Sequence, residues 1–389
     1  MVAKWDQLRG MMAMYCNDSS RSTISTALTA ILLLGFGSNA AAETRSFVVN
    51  WFHLATYQDE GDCPDGLNPD SEKLVQQLLA QAGWSAQDIQ KAQTQGAERN
   101  AADSRIAMMM RGHNADGTPA SAWHDPTSVP DPHIKTVKGK YAIGFDLDGK
   151  VDTGGFVEPE TGAVGVDNQL YRALGCFIGY HTRLPGRPAY ETSNWDWSRG
   201  MPVWLVSISG DDLDKDGDVT VTFDLALHTG ERNAKGDYIA DQTFVLSTNR
   251  RYHHVARGRI EQGTLTVKQP FELLLRADGS ILPELDLVQG QLRLDVKDWR
   301  APAGFIGGYT PWLTYWFMYQ QNAGAIEASE SINIPGTYYT FRRFADAEPD
   351  PDTGQNQRIS AAFRIELTPA MLASSSLGTY SASASRLKK

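Results

Sequence analysis

The 389-residue chain carries 36 Lys and Arg against 46 Asp and Glu, a net charge of −10, with 41% apolar residues, 10% aromatic residues and three cysteines. An acidic chain without a basic stripe argues against nucleic-acid binding, because affinity for a phosphate backbone rests on clustered Lys and Arg. The aromatic content argues against intrinsic disorder, and the length suffices for one large core or two smaller ones.

The first informative segment is an apolar stretch, Ala27-Leu-Thr-Ala-Ile-Leu-Leu-Leu-Gly-Phe36, with Arg21 before it and the small residues Ala40-Ala41-Ala42 after it. This reads as a secretory signal cleaved after Ala42. The run is nearer a dozen residues than the roughly 20 that a bilayer span requires, so no membrane span is expected once the signal is removed. No cysteine follows the apolar run, so lipid attachment is not indicated; Met12 and Met14 are alternative translation starts. Cleavage removes Lys4, Arg9 and Arg21 with Asp6 and Asp18, leaving 33 basic and 44 acidic residues, or −11. Cys16 leaves as well. The remaining pair, Cys63 and Cys176, is expected to form a disulfide in the periplasm or outside the cell.

Along the mature chain, Ser46–Phe52 suits a strand. Asn68-Pro69 then starts a helix with its apolar stripe on Leu74, Leu78 and Leu79, Ser85 and Asp88 form a capping box for a second helix from Ala86, and a third helix is expected over Glu98–Met110. Residues 112–138, with four prolines, read as a long irregular loop. Beyond an Asp/Gly-rich segment, Asp167 is expected to cap a short helix carrying Leu170 and Leu174. From Met201 the period changes to that of strands, with clear alternation in Val219–Leu227 and Gln291–Val296. The aromatic window 311–320 is expected to be a helix buried under the sheet, with a further helix near Tyr338–Phe344, a strand at Ile359–Leu367 and a disordered tail from 372 to 389. The fold class that follows is α+β: a helical N-terminal part, residues 43–140, packed on an antiparallel β-sandwich or barrel-like body, residues 141–371.

Two acidic runs point to a hard cation. Asp212, Asp214, Asp216 and Asp218, with Gly217, alternate as in the first half of a calcium loop, although Phe223 stands where an EF-hand needs its bidentate glutamate. Asp146, Asp148 and Asp152 repeat the spacing around Gly149, with Glu158 or Asp167 able to complete a ligand set. Solvated acidic turns are the alternative for both. His113, His124 and His133 in the proline-rich loop are weak catalytic or metal-binding candidates, since their spacing matches no ligand signature. Trp195 and Trp197 in Asn194-Trp-Asp-Trp197 could present indoles to a sugar or an apolar ligand. No nucleotide-cofactor fingerprint or Ser-nucleophile elbow is present.

Gly165-Val-Asp-Asn-Gln-Leu170, Ile208-Ser-Gly-Asp-Asp212, Gly307-Gly308, Ile359-Ser-Ala-Ala-Phe363 and Thr368-Pro-Ala370 together resemble a loose family of uncharacterised exported bacterial proteins. The resemblance covers about residues 141–370 and implies export, with no assigned activity. The function expected from these readings is an exported, calcium-stabilised, β-rich binding or structural protein whose ligand is a small molecule, a glycan, a lipid or an envelope protein. The alternatives are a periplasmic hydrolase or lyase using the His-containing loop over a cleft, and an accessory subunit of an envelope complex if residues 311–320 prove exposed.

Overall fold

The computed structural model describes residues 42–81, 83–94, 112–151, 154–181, 203–275, 284–321, 323, 326–327 and 331–374. Strand β1 (Glu43–Leu54) is followed by helices α1 (Ser71–Gln81) and α2 (Ala86–Thr94). Two small hairpins come next, β2 (Gly112–His113) with β3 (Pro119–Ala120), and β4 (Phe156–Val157) with β5 (Val164–Val166). Helix α3 (Gln169–Leu174) precedes β6 (Trp204–Gly210), β7 (Gly217–Leu225), β8 (Gln242–Val245), β9 (His254–Glu261), β10 (Thr264–Leu275), β11 (Leu285–Asp295) and β12 (Ala303–Pro311). Helices α4 (Trp312–Gln320) and α5 (Ile334–Phe344), the short β13 (Ala347–Pro349) and the long β14 (Asn356–Ala373) follow.

Eight of these strands, in the order β1-β6-β7-β9-β10-β11-β12-β14, form an antiparallel barrel that closes through β1 against β14. Closure removes the unpaired edges that an open sheet would expose. Period-two alternation fills the interior. Val219, Val221, Phe223 and Leu225 of β7 point inward and are buried, while Asp218, Thr220 and Thr222 point out. The same pattern on β9 buries Ala256 and Ile260 and turns out Arg257, Arg259 and Glu261. Across the outer face Arg257 donates to Thr220 at 2.5 Å and Arg259 pairs with Asp218 at 2.7 Å.

The α+β expectation of a helical N-terminal part packed on a β body is corrected by this topology. The first described element is a barrel stave, β1, hydrogen-bonded to both β6 and β14, so the N-terminal region belongs to the sheet itself. The molecule is mostly β, with five short helices among the described residues. The local signals for α1 and α2 do produce helices, but a helix of nine or eleven residues does not make a layer. The start of α1 also differs. Asp70 Oδ1 accepts the Lys73 amide at 2.9 Å, whereas the Asn68 side chain donates to the Lys135 and Cys176 carbonyls. Half of the box at α2 forms, with the Asp88 amide donating to Ser85 Oγ at 3.1 Å, while the Asp88 carboxylate accepts the Ser85 hydroxyl at 2.6 Å.

Outside the wall, a small cluster of Val137, Ala142, Phe156, Val166, Tyr171 and Cys176 seats the segment 137–176. Cys63 and Cys176 are bridged, fastening the turn before α1 to the end of α3. Helix α4 buries Trp312, Tyr315, Trp316, Met318 and Tyr319, with Trp316 Nε1 donating to the Ile334 carbonyl at 3.0 Å. Leu313 and Phe317 remain on its open side. No helix among the described residues is long and apolar enough to cross a membrane. The expectations for the leader, the third helix, Asp152, Trp195, Trp197 and the tail beyond 374 lie, wholly or for the most part, outside the described residues.

Candidate functional site: an acidic cluster on the barrel wall

The segment from Tyr141 to Asp167 lies against the outer side of β12 and β14. Added carbon at Gly307 of β12 would run into the Phe145 ring at 2.5 Å, which shows how closely the segment is seated. Phe145 and Asp167 form an antiparallel bridge, the Asp167 amide donating to the Phe145 carbonyl at 2.8 Å. That bridge places Asp167 beside the turn that follows Phe145. In this turn Asp146 Oδ1 accepts the Gly149 amide at 2.7 Å and Asp148 Oδ1 accepts the Lys150 amide at 2.8 Å, with Gly149 in the left-handed region at φ 74°. Asp167 Oδ2 accepts the Leu147 amide at 2.8 Å, locking the two stretches together.

The outcome is a convergence of three carboxylates. Asp146, Asp148 and Asp167 each offer an oxygen, and these oxygens lie within 4.8 Å of one another. Two ligands of one Ca²⁺, each about 2.4 Å from the ion, are separated by at most about 5 Å, so a single ion can reach all three. Asp167 is therefore not the helix cap that its position suggested. Asn168 takes that part, accepting the Tyr171 amide at 3.2 Å, and leaves Asp167 facing the cluster.

A further carboxylate, from the far end of the chain, interacts with Asp167 but is not one of the three whose oxygens converge. Asp346, just after α5, accepts the Ser360 amide at 2.7 Å and its hydroxyl at 2.6 Å. Ser360 Oγ in turn accepts the Gln169 amide at 3.0 Å, which ties Asp346 to the residues beside Asp167. Tyr309 stands directly across from Ser360 in the β12–β14 ladder. Its phenol is buried and feels all four acids, Asp167, Asp346, Asp148 and Asp146.

Burial and crowding of like charge shift Asp167, Asp346 and Tyr309. Burial, reinforced by Asp346 and Asp148, pushes the Asp167 carboxyl up to about 7 against the opposing Leu147 hydrogen bond. Burial likewise pushes Asp346 up to about 6, despite the two bonds from Ser360. Burial and then the four carboxylates raise the Tyr309 phenol. Such groups hold protons tightly until a cation takes their place.

The second run behaves differently. Glu43, Asp212 and Asp214 also bring their oxygens together. Here basic side chains already sit on them. The Arg45 guanidinium grips Asp214 through two bonds of 2.9 Å and reaches Glu43, and the Lys215 ammonium lies 2.7 Å from Asp212. Those partners, Lys215 for Asp212 and Arg45 for Asp214, hold both carboxyls below the ordinary range. Asp216 accepts the Gln262 amide at 2.8 Å and Asp218 pairs with Arg259. This is a neutralised hairpin turn between β6 and β7. Glu158, considered as a further ligand for the first run, is engaged with Thr161 and Arg293 instead.

The histidines do not enter either group; among the described residues neither convergence contains one. His113 is exposed on β2, His124 Nδ1 lies 2.9 Å from Ser121 Oγ, and His133 is 3.5 Å from Asp131, which also binds Arg343. Asp346 and Tyr309 carry no sequence signal. They lie about 180 and 140 residues beyond Asp167 and join it only through the β12–β14 pairing.

The Lys150 ammonium lies 3.1 Å from Asp148 Oδ2. The ammonium is largely exposed and competes with a cation weakly, so Lys150→Ala is expected to tighten calcium binding about two- to fivefold, measured by calorimetric titration. Comparison of the chain with protein-family models, with curated proteins and with solved structures finds no match.

Proposed function

We propose that this is an exported, calcium-stabilised β-barrel protein that acts by binding or as a structural component in the cell envelope. The observation that carries the reading is the convergence of Asp146, Asp148 and Asp167 on the barrel wall, within reach of one hard cation. Oxygen-only ligands from carboxylates suit Ca²⁺, which accepts six to eight of them in loose geometry. A cation there would pin the segment 141–167 to the wall.

Export is supported by three features. The leader has the charge, apolar length and small-residue end of a cleaved signal. The Cys63–Cys176 bridge belongs to an oxidising compartment. Apart from the exposed Val255, the outer face of β7 and β9 carries Thr, Arg, Asp and Glu over an apolar interior, the reverse of a lipid-facing barrel, and so suits an aqueous envelope space. The ligand classes that fit are a glycan, a lipid or an envelope protein, and the resemblance to exported bacterial proteins points the same way.

Protein purified from the envelope without added metal tests this directly. Intact mass should place the N-terminus at Glu43 with no free thiol, and elemental analysis should find about one calcium per chain. A chain retaining its first 42 residues, or one carrying no calcium after purification in calcium-containing buffer, contradicts the reading.

A further inference from the structure

We propose that the chain cuts itself at Asp131–Pro132, the Asp131 carboxylate attacking its own main-chain carbonyl while His133 gives a proton to the proline nitrogen. The site lies in the proline-rich loop, away from the acidic run at Asp146, and is independent of the calcium reading.

The sequence holds three aspartyl–prolyl bonds, Asp125–Pro126, Asp131–Pro132 and Asp350–Pro351. An aspartate side chain can close a five-membered ring on its own carbonyl carbon, and proline leaves as a basic secondary amine, its amide nitrogen carrying no hydrogen. That chemistry is open to all three bonds; the partners of the carboxylates differ. Asp125 Oδ1 accepts the amide and hydroxyl of Thr127 at 3.0 and 2.6 Å, and Asp350 Oδ1 accepts the amide and hydroxyl of Thr353, both at 2.8 Å. Threonine holds a carboxylate but is no acid at neutral pH. His124, beside Asp125, turns its ring to Ser121 Oγ at 2.9 Å. At Asp131 the partner is a histidine. Asp131 Oδ1 accepts the His133 amide at 2.8 Å, closing a ring that contains the bond to be cut, and His133 Nδ1 lies 3.5 Å from Oδ2.

The segment is held in place for the reaction. Asp131 stands between Pro130 and Pro132, which leave its backbone few conformations. From α5, the Tyr339 hydroxyl donates to the Val129 carbonyl at 2.7 Å and Arg343 donates to Asp131 Oδ2 at 3.1 Å. Gly336 lies so close to Pro132 and Ile134 that a Cβ there would run into both. His133 has φ 50°, a backbone region sparsely populated by residues other than glycine. Its side chain is 79% exposed, so solvent can reload it with a proton. The titratable and charged groups around the bond are Asp131 and His133 on the loop and Tyr339 and Arg343 on α5, with Asp125 and Arg342 further along the same two elements. Holding reacting groups together in this way speeds an intramolecular attack.

In the first step a carboxylate oxygen of Asp131 bonds to its main-chain carbonyl carbon and the C–N bond to Pro132 breaks. The electron pair goes to the Pro132 nitrogen, which takes the proton of the His133 imidazolium. The products are a cyclic anhydride at Asp131 and a free prolyl amine. Water then opens the anhydride to two carboxylates, so the net change is hydrolysis of one peptide bond. Cys63 precedes the cut and Cys176 follows it, so the disulfide and the pairings of β1 keep the two pieces together.

The test incubates the disulfide-bonded protein for several days at pH 5.5 and at pH 8, then reads intact mass with and without reduction. Reduced samples should contain one fragment ending at Asp131 and one beginning at Pro132, formed about tenfold faster at the lower pH, where histidine is ordinarily protonated. Unreduced samples should stay as one species, heavier by one water. Asp131→Asn should abolish the cut. His133→Gln, a change at an exposed side chain, should slow it about 100-fold, a typical weight for a general acid. The other two aspartyl–prolyl bonds are internal controls and should stay intact. Similar cutting at all three bonds in the folded protein is ordinary acid hydrolysis and overturns the proposal. An intact Asp131–Pro132 bond at both pH values, or a His133→Gln protein cut at the wild-type rate, overturns it equally.

Discussion

Asp167→Asn is expected to lower calcium affinity by roughly 100-fold, about 2.7 kcal/mol, while making the metal-free protein more stable than wild type. The two halves of this expectation have one cause. In metal-free protein the Asp167 carboxyl is buried beside Asp148 and Asp346, and its ionisation is disfavoured to the point that its pKa reaches about 7. The amide replaces it with an uncharged group of the same shape that still accepts the Leu147 amide. With calcium bound, the same change deletes a charged ligand. Melting curves of wild type and variant should therefore cross over, the variant melting higher in chelator and lower in millimolar calcium. A variant that melts lower in both conditions would assign Asp167 a purely structural part.

The pH dependence follows with a definite sign. A carboxyl whose folded pKa is raised binds protons more tightly when folded. Its contribution is fully present below the unfolded value near 4 and is lost as pH rises through the folded values, about 6 for Asp346 and about 7 for Asp167. In chelator, the wild-type urea midpoint should rise as the pH is lowered from 8 towards 5, with a slope of at most about 1.4 kcal/mol per pH unit for each group. Asp167→Asn should flatten that slope. Calcium should reverse it, since protons and the ion compete for the same oxygens.

Removing the disulfide is expected to have the largest effect on stability. Cys63 and Cys176 are separated by 113 residues, and closing a loop of that length restricts the unfolded chain by about 4–5 kcal/mol in the chain-entropy model. The bridge also holds the turn around Asp62. There the Tyr171 phenol donates to Asp62 Oδ2 at 3.0 Å, and the Asn68 amide bonds the Cys176 carbonyl at 2.9 Å. The double Cys→Ser variant should unfold at a much lower urea concentration, with a slope close to that of wild type. Because Cys176 follows α3, which follows Asp167, calcium affinity should fall as well, to a smaller degree than in the ligand variants. Unchanged midpoints would show that the barrel alone sets the stability.

How far the fold could be read from the sequence depends on the range of the contacts involved. The alternation in Val219–Leu225 fixes which side of β7 faces inward without any partner, and the aromatic run 312–320 needs only its own periodic burial to be a helix. Barrel closure is different in kind. It rests on β1 pairing with β14 across some three hundred residues, with Phe47 opposite Pro369, and nothing local in Ser46–Phe52 distinguishes a stave from the edge of a sandwich. The same limit explains the candidate site. Asp146 and Asp148 advertise themselves by spacing, and the sequence offers Glu158 or Asp167 beside them, but the choice of Asp167 is made by the Phe145–Asp167 bridge and by the Thr161 and Arg293 contacts that engage Glu158. At the better-spaced run the decisive neighbour is equally nonlocal, because Arg45, far away in sequence on β1, folds against Asp214.

The central claim is that the wall cluster is a calcium site, and a titration of metal-stripped mature protein followed by thermal unfolding tests it most directly. Binding of one Ca²⁺ per chain should saturate, and the melting temperature should rise by roughly 5 °C or more at a hundredfold excess over the dissociation constant. Absence of binding heat together with superimposable melting curves in calcium and in chelator would contradict it.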